Sequence, residues 1–208
     1  WLRGNPSFDE GRFDEAIDGA TQILITHGHG DHASTATDIA RATGAPITGI
    51  YDWVTWITTA EDGVEGVGMN KGGTVRYGDV AATMVNAVHS SSVAGPQSQP
   101  VYAGAEAGFV ITSGETRLYI AGDTDVMADM GVIHELHEPT HAILPIGGHF
   151  TMDAQRAAFA AKRFFDLKAV IPCHYRTFPL LAQSADEFRE LVAPVEVLAP
   201  GVMESVSI

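Results

Sequence analysis

The hexapeptide His27-Gly28-His29-Gly30-Asp31-His32 follows directly on the apolar run Ile23-Leu24-Ile25-Thr26, so three imidazoles and a carboxylate stand where a strand ends. Side chains two apart on an extended backbone project to the same side, and His27 and His29 can therefore grip one ion together. Gly28 and Gly30 let the chain bend around that ion with no Cβ in the way, and carry Asp31 and His32 toward a second. Whatever fold this chain adopts must present that strand end to a metal; a polar turn that happens to be rich in His is the weaker reading.

At 208 residues, 45% hydrophobic and only 18% charged, the chain is long enough to bury a substantial core, and a single domain over residues 1–208 is expected. The net charge of −14, with 12 Lys and Arg and no basic run, argues against nucleic acid and for a small-molecule substrate attracted locally by metal cations. One cysteine, Cys173, excludes an intramolecular disulfide and a Cys-rich zinc knot. No apolar stretch reaches the ~18 residues of a membrane span and no secretory leader opens the chain, so no membrane partner and a cytoplasmic location are expected. The sequence begins at Trp1 without a Met and reads as a fragment, and a homo-oligomer is left open.

Strand-like and helical runs alternate from end to end, which predicts a layered α/β architecture. Strands are expected at Gln22–Thr26, Pro46–Ile50, Gly72–Tyr77, Val80–Val88, Phe109–Thr112, Arg117–Ala121, His141–Ile146 and Ala169–Cys173, with two more at the C-terminal end. Helices are expected at Ala33–Thr43, closed by Gly44, and at Tyr51–Ala60, Asp125–His137, Asp153–Phe165 and Ala185–Val192. Gly78-Asp79 and Ser113-Gly114-Glu115 read as hairpin turns, and Ser90–Gly108 as a long loop of the kind that carries function.

Further metal-capable residues close three of these strands: His89 after Val80–Val88, Asp123 after Leu118-Tyr119-Ile120-Ala121-Gly122, and His174 after Val170-Ile171-Pro172-Cys173. Each alone is an ordinary surface residue; their shared placement at strand ends is what marks them.

These residues in this order resemble the metallo-β-lactamase superfamily. The segments Ile25 to His32, Ala87-Val88-His89-Ser90-Ser91-Ser92, Ala121-Gly122-Asp123-Thr124, Leu144 to Met152 and Ile171-Pro172-Cys173-His174-Tyr175 resemble more narrowly its small metal-dependent hydrolases, relatives of ascorbate-6-phosphate lactonase. The resemblance runs from about Gly4 to Gly201. It implies an αββα sandwich with two metals on its edge, one held by His27, His29 and His89, the other by Asp31, His32 and His174, with Asp123 bridging. It also implies a further strand or two, with a Gly-His-Ser-like segment and a buried Asp, ahead of the piece that Trp1–Pro6 resembles. None of that is present, so the expected fold lacks its amino-terminal strand or strands. Relatives place Asn after the His-Tyr pair, where this chain has Arg176.

Neutral imidazoles and carboxylates suit divalent transition metals, zinc first and manganese second. Two such ions sharing a water would lower its pKa toward ~7 and provide a bridging hydroxide as nucleophile against a small ester, lactone or phosphoester. In that chemistry Asp123 positions the hydroxide, Asp31 holds the second ion, and a carboxylate or metal-bound water returns a proton to the leaving group. His149, in a Gly-Gly-His loop, is a candidate to stabilise the oxyanion or orient a ligand. Arg176, on an extended chain, emerges on the metal side and can hold a substrate phosphate or carboxylate; turned outward it pairs with a surface carboxylate. Two other functions are weighed: a phosphodiesterase or nuclease of the same superfamily, disfavoured by charge, and a non-catalytic metal-binding domain, which has no need of seven ligand positions.

Outside the site, Ser90–Ser92 lack an activating base. His134, His137 and His141 read as surface or packing residues, Cys173 as a core residue, Trp53, Trp56 and Ile57 as one apolar helix face, and Asp125 and Asp129 as helix-start residues.

Overall fold

The computed structural model describes residues 2–208; Trp1, and whatever is expected of it, lies outside the described residues. Contacts divide the chain into two compact units, one running up to Lys71 and including Ser90–Glu106, the other comprising Gly72–His89 and Ala107–Ile208.

The first unit opens with a 3₁₀ turn at Glu10–Arg12 and helix α1 (Phe13–Ile17), then alternates β1 (Ile23–Leu24), α2 (Gly30–Ala33), α3 (Ala36–Thr43), β2 (Ile47–Ile50), α4 (Tyr51–Ala60) and β3 (Gly66–Met69). Its three strands pair in parallel in the order β1-β2-β3. The middle strand, β2, is buried along its whole length, with Ile47 and Ile50 at its two ends. β3 escapes the sequence because Gly66-Val67-Gly68-Met69 is a poor strand former. Its glycines answer to packing: a Cβ on Gly66 would lie 2.6 Å from Val54 Cγ1 of α4. The helix expected over Ala33–Thr43 breaks at Ser34-Thr35, and Gly44 ends α3 as expected, with φ 73° and its N–H donated to Ala40 O. Within the stretch expected to be loop, β6 (Ser92–Ala94) and β7 (Pro100–Tyr102) form a small antiparallel hairpin.

The second unit is built on a seven-stranded mixed sheet of order β12-β11-β10-β9-β8-β5-β4. Its strands are β4 (Thr74–Tyr77), β5 (Val80–Val85), β8 (Gly108–Ser113), β9 (Thr116–Ile120), β10 (His141–Pro145), β11 (Ala169–Cys173) and β12 (Glu196–Val197). Both expected hairpins are present, turning at Gly78 and Gly114 with positive φ. The strand expected to reach Val88 stops at Val85, and of the two C-terminal strands only β12 is found among the described residues. Helices α5 (Asp129–His137), α6 (Ala154–Phe164) and α7 (Asp186–Val192) complete the unit. Asp129 does start its helix, and Asp153 caps α6 by accepting from Arg156 N–H.

The core of this unit joins Tyr119, Leu144 and Val170, from adjacent parallel strands, to Ala157, Ala158, Ala160 and Ala161 of α6 and to Phe188 of α7. A face of alanines lets the helix approach the sheet closely, and each large side chain so buried contributes about 1.5–3 kcal/mol. Tyr119 stacks on Phe165 at 5.3 Å between ring centroids, yet its hydroxyl is buried with no hydrogen-bond partner among the described residues. Burial pushes its pKa well above the ordinary tyrosine range. Tyr119→Phe deletes that stranded hydroxyl and is expected to raise stability by about 1 kcal/mol, read as a higher urea midpoint at unchanged slope. A lower midpoint would mean that the hydroxyl is satisfied through buried water.

Candidate metal centre

In the first unit the chain stays pinned beside β2 beyond the end of β1, because Ile25 N–H donates to Thr48 O at 2.8 Å. His27, next but one, is buried, and Thr26 Oγ1 sits 3.0 Å from its Nδ1. That contact fixes the ring and aims Nε2 at His29 Nδ1, 3.0 Å away, a spacing suited to two donors on one ion. His29 still has extended backbone angles, and the turn into α2 begins after it, at Gly30. Asp31 and His32 therefore lie in the first turn of a short helix, with Asp31 Oδ2 and His32 Nε2 3.5 Å apart and the His32 ring 4.2 Å from that of His27. The motif thus delivers one pair on the strand exit and another on a helical turn.

On sequence alone the serines at 90–92 have no role, since they lack an activating base. Ser91 is instead a strut: its Oγ accepts the Gly28 N–H at 3.1 Å and donates to Ala103 O at 3.4 Å. Ser90 Oγ lies 3.4 Å from His29 Nε2. Gly28 has no room for a side chain, since a Cβ there would stand 2.7 Å from Ala103 Cβ and 3.1 Å from Trp53 Cδ1.

In the second unit the other three candidates converge on one atom. Asp123 Oδ2 lies 3.6 Å from His89 Nε2 and 3.2 Å from His174 Nε2. The carboxylate is only 3% exposed. Direct charge-assisted N–H···O contacts are shorter, ≈ 2.7–2.9 Å, so this spacing suits donors set around cations better than a closed ion pair. Buried charge of this kind is held where it is paired or coordinates metal. The backbone brings the three together: Val88 N–H donates to Thr124 Oγ1, Asp125 N–H to Val88 O, and Ile146 N–H to Cys173 O. Thr124, which no sequence signal singles out, ties the exit of His89 to that of Asp123.

Two expectations change. Beyond β11 the chain is not extended: His174 and Arg176 have φ of 55° and 68°, so the two-residue alternation that would carry Arg176 to the metal side does not apply. Arg176 is exposed, in a turn held by its N–H donating to Ala182 O. Cys173 is half-buried and outside the core cluster, its thiol pushed up to about 12 by burial, with the Asp123 charge adding to the shift. His149 is exposed, its ring edge-on to Phe150 at 4.5 Å. Of the distant histidines, His134 packs edge-on to Phe165, and burial holds His137 below the ordinary imidazole range. Trp53 and Ile57 are buried as expected, whereas Trp56 is 47% exposed.

Strand-end imidazoles and carboxylates in each unit of a mixed α/β fold are the chemistry of a metal-dependent class, and similarity to known proteins narrows it. The profile of the Beta-lactamase superfamily domain matches residues 3–175. A UPF0173 metal-dependent hydrolase of Dinoroseobacter shibae is 57% identical over the whole chain, which covers 90% of that relative. Another, from Cereibacter sphaeroides, is 56% identical with the same coverage. Among solved structures, Igni18, a metallo hydrolase of Ignicoccus hospitalis, is 32% identical with a TM-score of 0.79, covering 94% of this chain and 83% of that one. A possible metal-dependent hydrolase from Veillonella parvula, 18% identical with a TM-score of 0.74 over 94% and 79% of the two chains, shares the fold. The chain belongs to the metallo-β-lactamase superfamily, among its UPF0173 metal-dependent hydrolases. The α/β fold of metallo-β-lactamase type expected from the sequence is the one found. Among the described residues no helix is long and apolar enough to cross a membrane.

Proposed function

We propose that this metal-dependent hydrolase works through a dinuclear centre on a small ester, lactone or phosphoester. The observation that carries the reading is Asp123 Oδ2, set between the Nε2 atoms of His89 and His174 as a bridging carboxylate would be. On this reading His27, His29 and His89 would hold one ion, Asp31, His32 and His174 the other, with Asp123 serving both. All donors are nitrogen or carboxylate oxygen, which suits zinc first and manganese second. Bound there, two such ions would supply Lewis acidity toward the reacting oxygen and a hydroxide nucleophile at neutral pH. The protein's own share is orientation: Thr26 fixes the His27 ring, Ser91 holds the Gly28 turn, and Asp123 aims the nucleophile. His149 donates a hydrogen bond to the developing oxyanion.

Elemental analysis at neutral pH tests this directly, with up to two transition-metal ions per chain expected. Protein that is metal-free as purified and takes up neither Zn²⁺ nor Mn²⁺ on dialysis ends the reading.

Arg176 is no longer carried to the metal side by alternation, and its assignment to the anionic part of the substrate rests on its charge two residues after His174. It occupies a left-handed conformation that Asn tolerates better than Arg, at a cost of order 1 kcal/mol. Arg176→Asn is expected to raise stability by about that amount while raising KM for anionic substrates about tenfold and sparing neutral esters. Equal loss on both substrate types removes the assignment.

A further inference from the structure

We propose that the first unit carries a binding site for a trialkylammonium group, in the cavity between α4 and the β6–β7 hairpin. The cavity is about 150 Å³ and is lined by Asp52, Trp53, Trp56, Val93, Val101 and Tyr102. That composition is unlike an ordinary apolar dent: three aromatic residues and an aspartate border a space whose other walls are valine, alanine and glycine. Ring faces attract cations through their quadrupole, most strongly for Trp, and the carboxylate adds a full charge of the right sign. The same carboxylate repels an anion, and the chain's net charge of −14 favours a cation at long range.

Size and hydrogen bonding narrow the cation. A void of about 150 Å³ accommodates a group the size of benzene, which a trimethylammonium head with the start of its stem matches, and falls short of the ≈ 300–1,000 Å³ of a drug-sized pocket. A primary ammonium would bring three N–H donors and have one carboxylate to receive them. A quaternary nitrogen brings none, so indole and valine walls cost it nothing in unmade hydrogen bonds.

Local structure supports the arrangement. Val93 and Val101 are direct cross-strand partners in the hairpin and so present their side chains on the same face. Gly104 brings the chain after β7 against α4, since a Cβ on it would lie 3.2 Å from Asp52 Cβ. Trp53 is the buried wall, 2% exposed, while Trp56 and Tyr102, 47% and 75% exposed, are accessible to a guest. The exposure of Trp56, on a helix whose apolar pattern predicts burial, has a use on this assignment.

Titration of the ¹⁵N-labelled protein with choline, and separately with its neutral isostere 3,3-dimethyl-1-butanol, tests the site whether or not the metal centre is dinuclear. The indole N–H resonances of Trp53 and Trp56 report binding; the Trp53 N–H is buried without an acceptor among the described residues and will be sensitive to any guest. Saturable shifts with choline are expected, at least about tenfold weaker with the neutral alcohol, and weakened about tenfold by Trp56→Ala or Asp52→Asn. Both substitutions fall on exposed positions, and the comparison of the two ligands needs no variant. Equal affinity for the isostere, or shifts that never saturate, overturns the proposal.

Discussion

Asp123→Ala is expected to lower hydrolysis by at least about 10³-fold and to reduce metal content, because on the proposed dinuclear reading one carboxylate would serve two imidazole-held positions and the nucleophile between them. The expectation rests on geometry: a single oxygen, Oδ2, faces both His89 Nε2 and His174 Nε2 from a side chain 3% exposed. His149→Ala is the internal comparison. That ring is exposed and on the proposed reading would assist only the developing charge, so a loss of roughly 10–10²-fold is expected, with metal content unchanged. Asp123→Asn separates charge from shape, keeping the volume while removing the anion that would bridge. Turnover on one ester or lactone substrate, measured beside metal content for all three variants, decides the matter. Small and equal losses for Asp123→Ala and His149→Ala would take Asp123 out of the centre.

The His27–His32 motif was legible because its information is local. Alternation on the strand exit and a glycine at each bend place donors through backbone geometry alone, and the observed pairing of His27 with His29 and of Asp31 with His32 follows from it. His89, Asp123 and His174 were legible for a related reason, each closing an apolar run. What the sequence hid depends on contacts between distant segments. β3 is glycine-rich because α4 lies against it, and a glycine-rich tetrapeptide gives no strand signal by itself. The β6–β7 hairpin is too short to show periodicity. Trp56 lies about 60° around the helix from Trp53, at the edge of the apolar stripe, where the pattern that predicts burial is weakest. The left-handed backbone at His174 and Arg176 is imposed from outside at Arg176, a residue type that does not favour it, and it defeats any inference from alternation.

That imposed backbone gives the second large expectation, Gly147→Ala. A Cβ on Gly147 would stand 2.0 Å from the carbonyl oxygen of His174, a backbone atom with no rotamer through which to retreat. Nor is there slack nearby. Ala182 N–H donates to Gly147 O, Arg176 N–H donates to Ala182 O, and Ile146 N–H donates to Cys173 O, so the end of β10 and the His174 turn are tied on both sides of the clash. Either the strands part, at a cost of at least about 3 kcal/mol, or His174 swings away and takes its Nε2 from Asp123. Urea unfolding reads the first outcome and metal content the second, and one of them must change. A Gly147→Ala protein with full metal content and less than about 1 kcal/mol of lost stability would show that the His174 turn is not held by this contact, and His174 would then need another anchor to serve as a ligand.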